Sequence, residues 1–141
     1  GHLAALLACG SGWRKGRGLP PQPLRGCLPV SGVYRFGEGS GLSAKPRFLG
    51  EDPDNPRLAS PLRVLEDCAS PPWLLAHGER DFPHLVAQAA EMEQLLRAHG
   101  VPVRRQMLPG CDHFGASLAC GDDSDEGWPA VAAQWMRQTG A

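Results

Sequence analysis

The sequence predicts an α/β domain built on a mostly parallel sheet with crossover helices, and three observations carry that reading. Two short apolar runs, Cys27 to Tyr34 and Trp73 to His77, have the length and composition of strands buried on both faces. A helix-period segment opened by Pro83 and stopped by Gly100 separates the second run from an alternating segment, Val101 to Leu108. Strand, long excursion, strand, helix, strand, helix is the order of a parallel sheet whose helices pack on its faces.

The elements follow in order. Gly1-His2-Leu3-Ala4-Ala5-Leu6-Leu7-Ala8 reads as a helix already under way, so the chain is expected to be a fragment. Leu3, Leu6 and Leu7 share one helical face, and Gly10-Ser11-Gly12 stops the helix. A loop runs through Pro23. In the first apolar run Pro29 cannot donate to a ladder, which confines it to the strand's start or a bend. From Arg35 to Asp67 the chain is polar and rich in Gly and Pro, with a helix-like patch, Leu58 to Leu65, interrupted by Pro61. This predicts a loop with short helices, a lid-like or substrate-facing excursion in which the Gly37 to Gly41 stretch has no assigned role.

Pro71-Pro72 introduces the second strand and Gly78 closes it. In the next helix Leu85, Val86, Ala89, Met92, Leu95 and Leu96 recur at helical spacing. Pro109-Gly110 turns the third strand into a loop carrying Cys111-Asp112-His113-Phe114, and a last helix, from about Trp128 to Gln138, buries Val131, Ala132 and Trp135.

Composition narrows the function. At 141 residues the chain suits one domain, not two. A hydrophobic share of 42% and a formal charge of −1 describe a soluble globular protein and argue against nucleic acid as a partner. The longest apolar stretch, Leu3 to Cys9, falls short of the roughly 20 residues that span a bilayer, and no charged leader precedes it, so no membrane partner is expected. The cysteines, Cys9, Cys27, Cys68, Cys111 and Cys120, are odd in number and form no C-x-x-C pair. Reduced thiols in a cytoplasmic protein are the expectation.

In parallel sheets, active-site residues gather in loops at the strands' carboxyl ends. Two such loops are expected, Gly78-Glu79-Arg80-Asp81 and Pro109-Gly110-Cys111-Asp112-His113. One helix and one strand separate Asp81 from His113, as for a carboxylate and a histidine arriving on successive parallel strands. Acyl transfer through a hydroxyl needs such a carboxylate to orient an imidazole, and the imidazole to take the nucleophile's proton. Rival readings of nearby residues are weaker. Ser11 lies at a helix end and not at a strand-to-helix turn, Ser31 reads as a turn or pocket residue, and Cys111 as a small buried thiol. His77, Asp81, His84 and His113 lack metal-ligand spacing, and Asp122 to Gly127 lacks the downstream glutamate of a calcium loop, reading instead as a solvated acidic turn before the last helix. His2 and His99 read as surface or helix-end residues.

Several blocks together resemble the α/β-hydrolase superfamily, and within it the esterase and kynurenine formamidase branch. Gly1-His2-Leu3-Ala4 is similar to the tail of a nucleophile elbow running G-x-S-x-G-G-H-L-A. Val30-Ser31-Gly32-Val33-Tyr34, Ala59-Ser60-Pro61, Pro72-Trp73-Leu74-Leu75-Ala76-His77-Gly78-Glu79-Arg80-Asp81 and Asp112-His113-Phe114 follow in the family's order. Arg35 departs from the acidic residue that often follows Gly-Val-Tyr in such relatives. The resemblance implies that residues 1–141 are one partial domain, the C-terminal portion of an α/β-hydrolase fold. It implies Asp81 as triad acid and His113 as base, with the nucleophile a few residues before Gly1 and the oxyanion hole also outside the chain. The parent would then be a serine hydrolase of carboxylic esters or aryl formamides, needing no cofactor or metal and acting on a small molecule. The chain by itself would be inactive; the alternative is a non-catalytic truncated remnant.

Overall fold

The computed structural model describes residues 1–10, 12–20, 23–37, 40, 48–65 and 70–141. Its elements in order are helices α1 (His2–Cys9), α2 (Gly12–Lys15), α3 (Asn55–Leu58) and α4 (Pro61–Val64), strand β1 (Trp73–Arg80), helix α5 (Pro83–Ala98), strand β2 (Val103–Asp112), helix α6 (His113–Leu118), a 3-10 turn (Ala119–Gly121) and helix α7 (Trp128–Thr139).

Strands β1 and β2 pair in parallel from Trp73 opposite Val103 to Gly78 opposite Leu108, with α5 between them in sequence. A third segment lies on the other side of β1. Cys27 and Val30 bridge Trp73 and Ala76 in parallel, through Cys27 N–H to Pro72 O, Leu74 N–H to Cys27 O, Ala76 N–H to Pro29 O and Ser31 N–H to Ala76 O. The one rung lacking is the donor that Pro29 does not have, which would have faced the Leu74 carbonyl. The first apolar run is thus a strand in position, shorter than expected and reduced to isolated bridges by its proline.

Successive side chains of β1 point to opposite faces, and each face has its own core. Trp73 and Leu75 pack with Ala5, Ala8 and Cys9 of α1 and Ala89, Met92 and Leu96 of α5. Leu74 and Ala76 pack with Leu108, Ala116 of α6, and Trp128, Ala132 and Trp135 of α7. Helices therefore cover both faces of the sheet, which is why Trp73 to His77 is buried throughout. Pro83 occupies the first turn of α5, and Gly100, at φ 69°, ends it with the paired bonds Gly100 N–H to Arg97 O and Val101 N–H to Leu96 O.

Three expectations are corrected, and the buried face of α1 is not the one its leucines share. Helix α1 buries its small residues, Ala5, Ala8 and Cys9, and leaves Leu3 and Leu7 exposed, because alanine and cysteine let the helix backbone approach the sheet. Neither candidate site loop is a plain loop: β1 runs on to Arg80 and β2 through Pro109-Gly110 to Asp112, with the register slipping between Gly78 and Arg80. Helix α6 starts at His113 itself, its first turn closed by the Asp112 carboxylate accepting Gly115 N–H at 2.7 Å. In α7 Trp128 joins the buried set while Val131 is only half-buried.

The described part of the 35–67 excursion is tied to α5. The buried Gln88 carboxamide accepts from the N–H groups of Tyr34 and Arg35, both at 2.8 Å, and donates to Ser40 O at 3.0 Å. Residues 38, 39, 41–47 and 66–69, and with them most of the Gly37 to Gly41 stretch and Cys68, lie outside the described residues, as does Ser11. Among the described residues no helix is long and apolar enough to cross a membrane.

Gly78 sits where the two strands slip. A methyl group on it would come within 2.5 Å of Cys111 O and 2.7 Å of Asp112 O, backbone atoms that cannot turn aside. Gly78→Ala is therefore expected to destabilise the fold by about 1–3 kcal/mol through overpacking, read as a lower urea midpoint at unchanged slope. An unaltered midpoint would contradict this packing.

Candidate active site

Asp81 follows the last residue of β1, and its carboxylate is the acceptor of four converging donors. Oδ2 receives the Ser31 hydroxyl at 2.5 Å and Gly78 N–H at 3.3 Å; Oδ1 receives Phe82 N–H at 2.8 Å and lies 2.9 Å from His113 Nδ1. The side chain is fully buried, and burial alone would raise its pKa; the bonds from Ser31, Phe82, His113 and Gly78 outweigh it and hold the carboxyl below the usual aspartate value.

The partner is placed by the strand ends. Arg80 lies opposite Asp112 in the register, the Arg80 guanidinium donates to Gly110 O at 2.5 Å, and Gly110 N–H donates to the Glu79 carboxylate at 2.8 Å. These crossed links fix the tip of β2 against β1, and Asp112 then starts α6 with His113 directed at Asp81. Because the ionised carboxylate only accepts, Nδ1 carries a proton, and in the neutral imidazole Nε2 presents its lone pair. Among the described residues Nε2 has no hydrogen-bond partner, and about a third of the side chain is exposed. The imidazole also touches two phenyl rings, Phe82 at 5.0 Å and Phe114 at 5.8 Å between centroids. Such a histidine can take a proton from a hydroxyl brought to Nε2 and return it to a leaving atom.

Ser31, read from the sequence as a turn or pocket residue and not as a site residue, joins the Asp81–His113 pair. It is buried, at φ 47° the one non-glycine residue with positive φ among those described, and held by its N–H to Ala76 O at 2.8 Å. Its sparsely populated backbone conformation at the strand end places the hydroxyl on the buried Asp81 carboxylate. The available clue was its place beside Gly32 at the carboxyl end of the first apolar run. Gly1, at the start of α1, abuts this same turn, where a methyl on it would overlap Val30 O and Gly32.

Ser31→Gly removes the hydroxyl and keeps the backbone free to hold φ 47°. Since the folded pKa of Asp81 is depressed, its stabilisation is present above the unfolded value and lost as pH falls through the folded one. The variant is expected to lose about 1–2 kcal/mol near neutrality and to begin acid unfolding at higher pH. Thermal midpoints from about pH 7 to about pH 2 check this; superimposable curves would contradict it.

The remaining candidates disperse. His77 is buried, its Nδ1 2.9 Å from Gly78 O and its Nε2 3.2 Å from an Arg105 guanidinium nitrogen, so it faces neither Asp81 nor His113. His84 stacks on Phe82. Cys111 is a half-buried free thiol packed against the α6–α7 core. His2 bonds Ala59 O at 2.7 Å and His99 bonds Leu95 O at 2.9 Å. The acidic segment folds on itself, Asp122 accepting Ser124 N–H at 3.0 Å. Arg35 pairs with Glu91 at 3.1 Å, beside a groove of about 500 Å³ lined also by Leu62, Arg63, Gln94 and Leu95, which shares no residue with the Asp81–His113 pair.

No family profile and no curated protein matches the sequence. Solved structures do match the fold. An acetyl ester-xyloside bifunctional hydrolase from Caldicellulosiruptor lactoaceticus aligns over 99% of this chain and 53% of its own, with 24% identity and a TM-score of 0.72. Esterase B from Lactobacillus rhamnosis, inhibited by a tributyrin phosphonate, aligns over 98% and 48%, with 17% identity and a TM-score of 0.65. A truncated carbohydrate esterase from gut microbiota aligns over 84% and 44%, with 15% identity and a TM-score of 0.61. The chain spans about half the length of these proteins. At these identities the likeness concerns architecture: this chain has an α/β fold that it shares with about half of each of these proteins.

Proposed function

We propose that the chain carries the acid and base of a serine hydrolase acting on carboxylic esters or aryl formamides, and that the nucleophilic serine and the oxyanion hole come from residues outside these 141. The observation that carries this reading is the His113 Nδ1 to Asp81 Oδ1 bond of 2.9 Å between the ends of adjacent parallel strands, with Nε2 open. The esterase folds that the chain resembles support the ester class. The formamide option rests on the resemblance of its sequence blocks to the formamidase branch.

In the reaction Nε2 takes the serine proton as the hydroxyl oxygen attacks the substrate carbonyl, and the resulting imidazolium is stabilised by Asp81, which stays ionised. The imidazolium then protonates the departing oxygen or nitrogen as its bond to the acyl carbon breaks. Water deacylates the serine by the same proton path, and the free serine and imidazole are restored.

Phenyl acetate and formanilide test the two substrate classes in the intact enzyme. His113→Ala should lower kcat/KM for the hydrolysed substrate by about three orders of magnitude or more. Turnover retained in that variant would sink the assignment, and an intact protein that hydrolyses neither compound would favour the non-catalytic remnant.

A further inference from the structure

The proton that His113 delivers must reach a leaving atom within hydrogen-bond distance of Nε2, so the group attached to that atom lies against whatever surface borders the imidazole. That surface is aromatic. The His84, Phe82, His113 and Phe114 rings form a continuous series, with centroid separations of 5.7, 5.0 and 5.8 Å. Phe82 is 48% exposed and Phe114 73% exposed, so both rings contact the imidazole and still offer open apolar area. Neither ring belongs to the two cores of this chain. Large exposed rings beside a half-open histidine are the composition of a binding platform, in which flat apolar groups stack on or against ring edges.

We propose that Phe82 and Phe114 are specificity-determining residues that receive the leaving group, and that they favour a ring-bearing apolar leaving group over a polyol. This rests on the hydrolase reading for its catalytic consequence, but not for the binding itself. The Phe82 and Phe114 rings offer no hydrogen-bond partner, so a polyol placed on them would lose hydration there, whereas a benzyl or phenyl group loses only apolar exposure. Positions 82 and 114 are fixed relative to His113 because Phe82 N–H is bonded to the Asp81 carboxylate and Phe114 follows His113 in the first turn of α6.

Two measurements separate this inference from the hydrolase reading. In the intact enzyme, the ratio of kcat/KM for benzyl acetate to that for glyceryl monoacetate should fall about tenfold in the Phe82→Ser, Phe114→Ser double variant. An unchanged ratio, with both esters turned over, would overturn the platform. Independently of turnover, benzyl alcohol titrated into the protein should give a saturable shift of the His113 ring-proton resonance that glycerol does not give and that the double variant lacks. A shift that persists in the double variant, or an equal response to glycerol, would overturn the inference. A specific benzyl alcohol shift in a protein without esterase turnover would instead retain the platform and reject the hydrolase reading.

Discussion

Under the proposed hydrolase function, Asp81→Asn is expected to lower kcat/KM of the intact protein by about four orders of magnitude while the protein stays folded. The reason lies in the count of donors. Four groups, the Ser31 hydroxyl, Gly78 N–H, Phe82 N–H and the His113 imidazole, converge on two carboxylate oxygens. Asparagine keeps one accepting oxygen and replaces the other with an NH2 that must donate. If the amide nitrogen faces His113, the imidazole has to accept at Nδ1 and moves its proton to Nε2, which removes the lone pair that would take the nucleophile's proton. In either orientation, facing His113 or facing Ser31 and Gly78, the amide nitrogen opposes a backbone donor, Phe82 N–H in the first and Gly78 N–H in the second, and in both the negative charge that would stabilise the imidazolium is lost. Steady-state kinetics beside circular dichroism check this result; a folded variant within tenfold of the parent would show that Asp81 does not set the tautomer of His113.

Trp73→Ala is expected to cost about 3–5 kcal/mol of folding stability. Trp73 is fully buried, opens β1, and packs against Ala5, Ala8 and Cys9 of α1 and Met92 and Leu96 of α5. Its indole N–H also bonds the Ser70 hydroxyl at 2.9 Å. Truncation removes the contacts that join α1 and α5 through the sheet and leaves a cavity between them. Against a typical total of about 5–15 kcal/mol, a loss of this size leaves a marginal domain. Denaturant unfolding reads it directly, and a loss under about 1 kcal/mol would mean the core closes over the gap.

The parts of the fold legible in the sequence were those governed by local rules. The buried run Trp73 to His77, the proline-started and glycine-stopped α5, and the parallel order of β1 and β2 all follow from apolar period and breaker placement. What escaped was decided by contacts between distant segments. The leucines of α1 satisfy a helical pattern, but the approach of α1 to β1 selects the alanine and cysteine face instead. Gln88 looks like an ordinary polar residue until the Tyr34 and Arg35 backbone arrives to bond it. At the site, Asp81 and His113 could be singled out because their residue types and strand-end spacing are restrictive. Ser31 could be read only as a turn or pocket residue, since neither its backbone geometry nor its 2.5 Å bond to Asp81, just past the end of β1, is written in the neighbouring sequence. Phe82 and Phe114 gain meaning only from their contact with the imidazole between them.

Fluorophosphonate labelling followed by peptide mapping tests the central claim most directly, because the reagent phosphonylates only a serine whose hydroxyl is activated by its base. In the intact protein the proposed function predicts one stoichiometrically labelled serine, located outside these 141 residues, whose labelling rate collapses in His113→Ala. Labelling of a serine within this chain, or a rate that does not depend on His113, would contradict it.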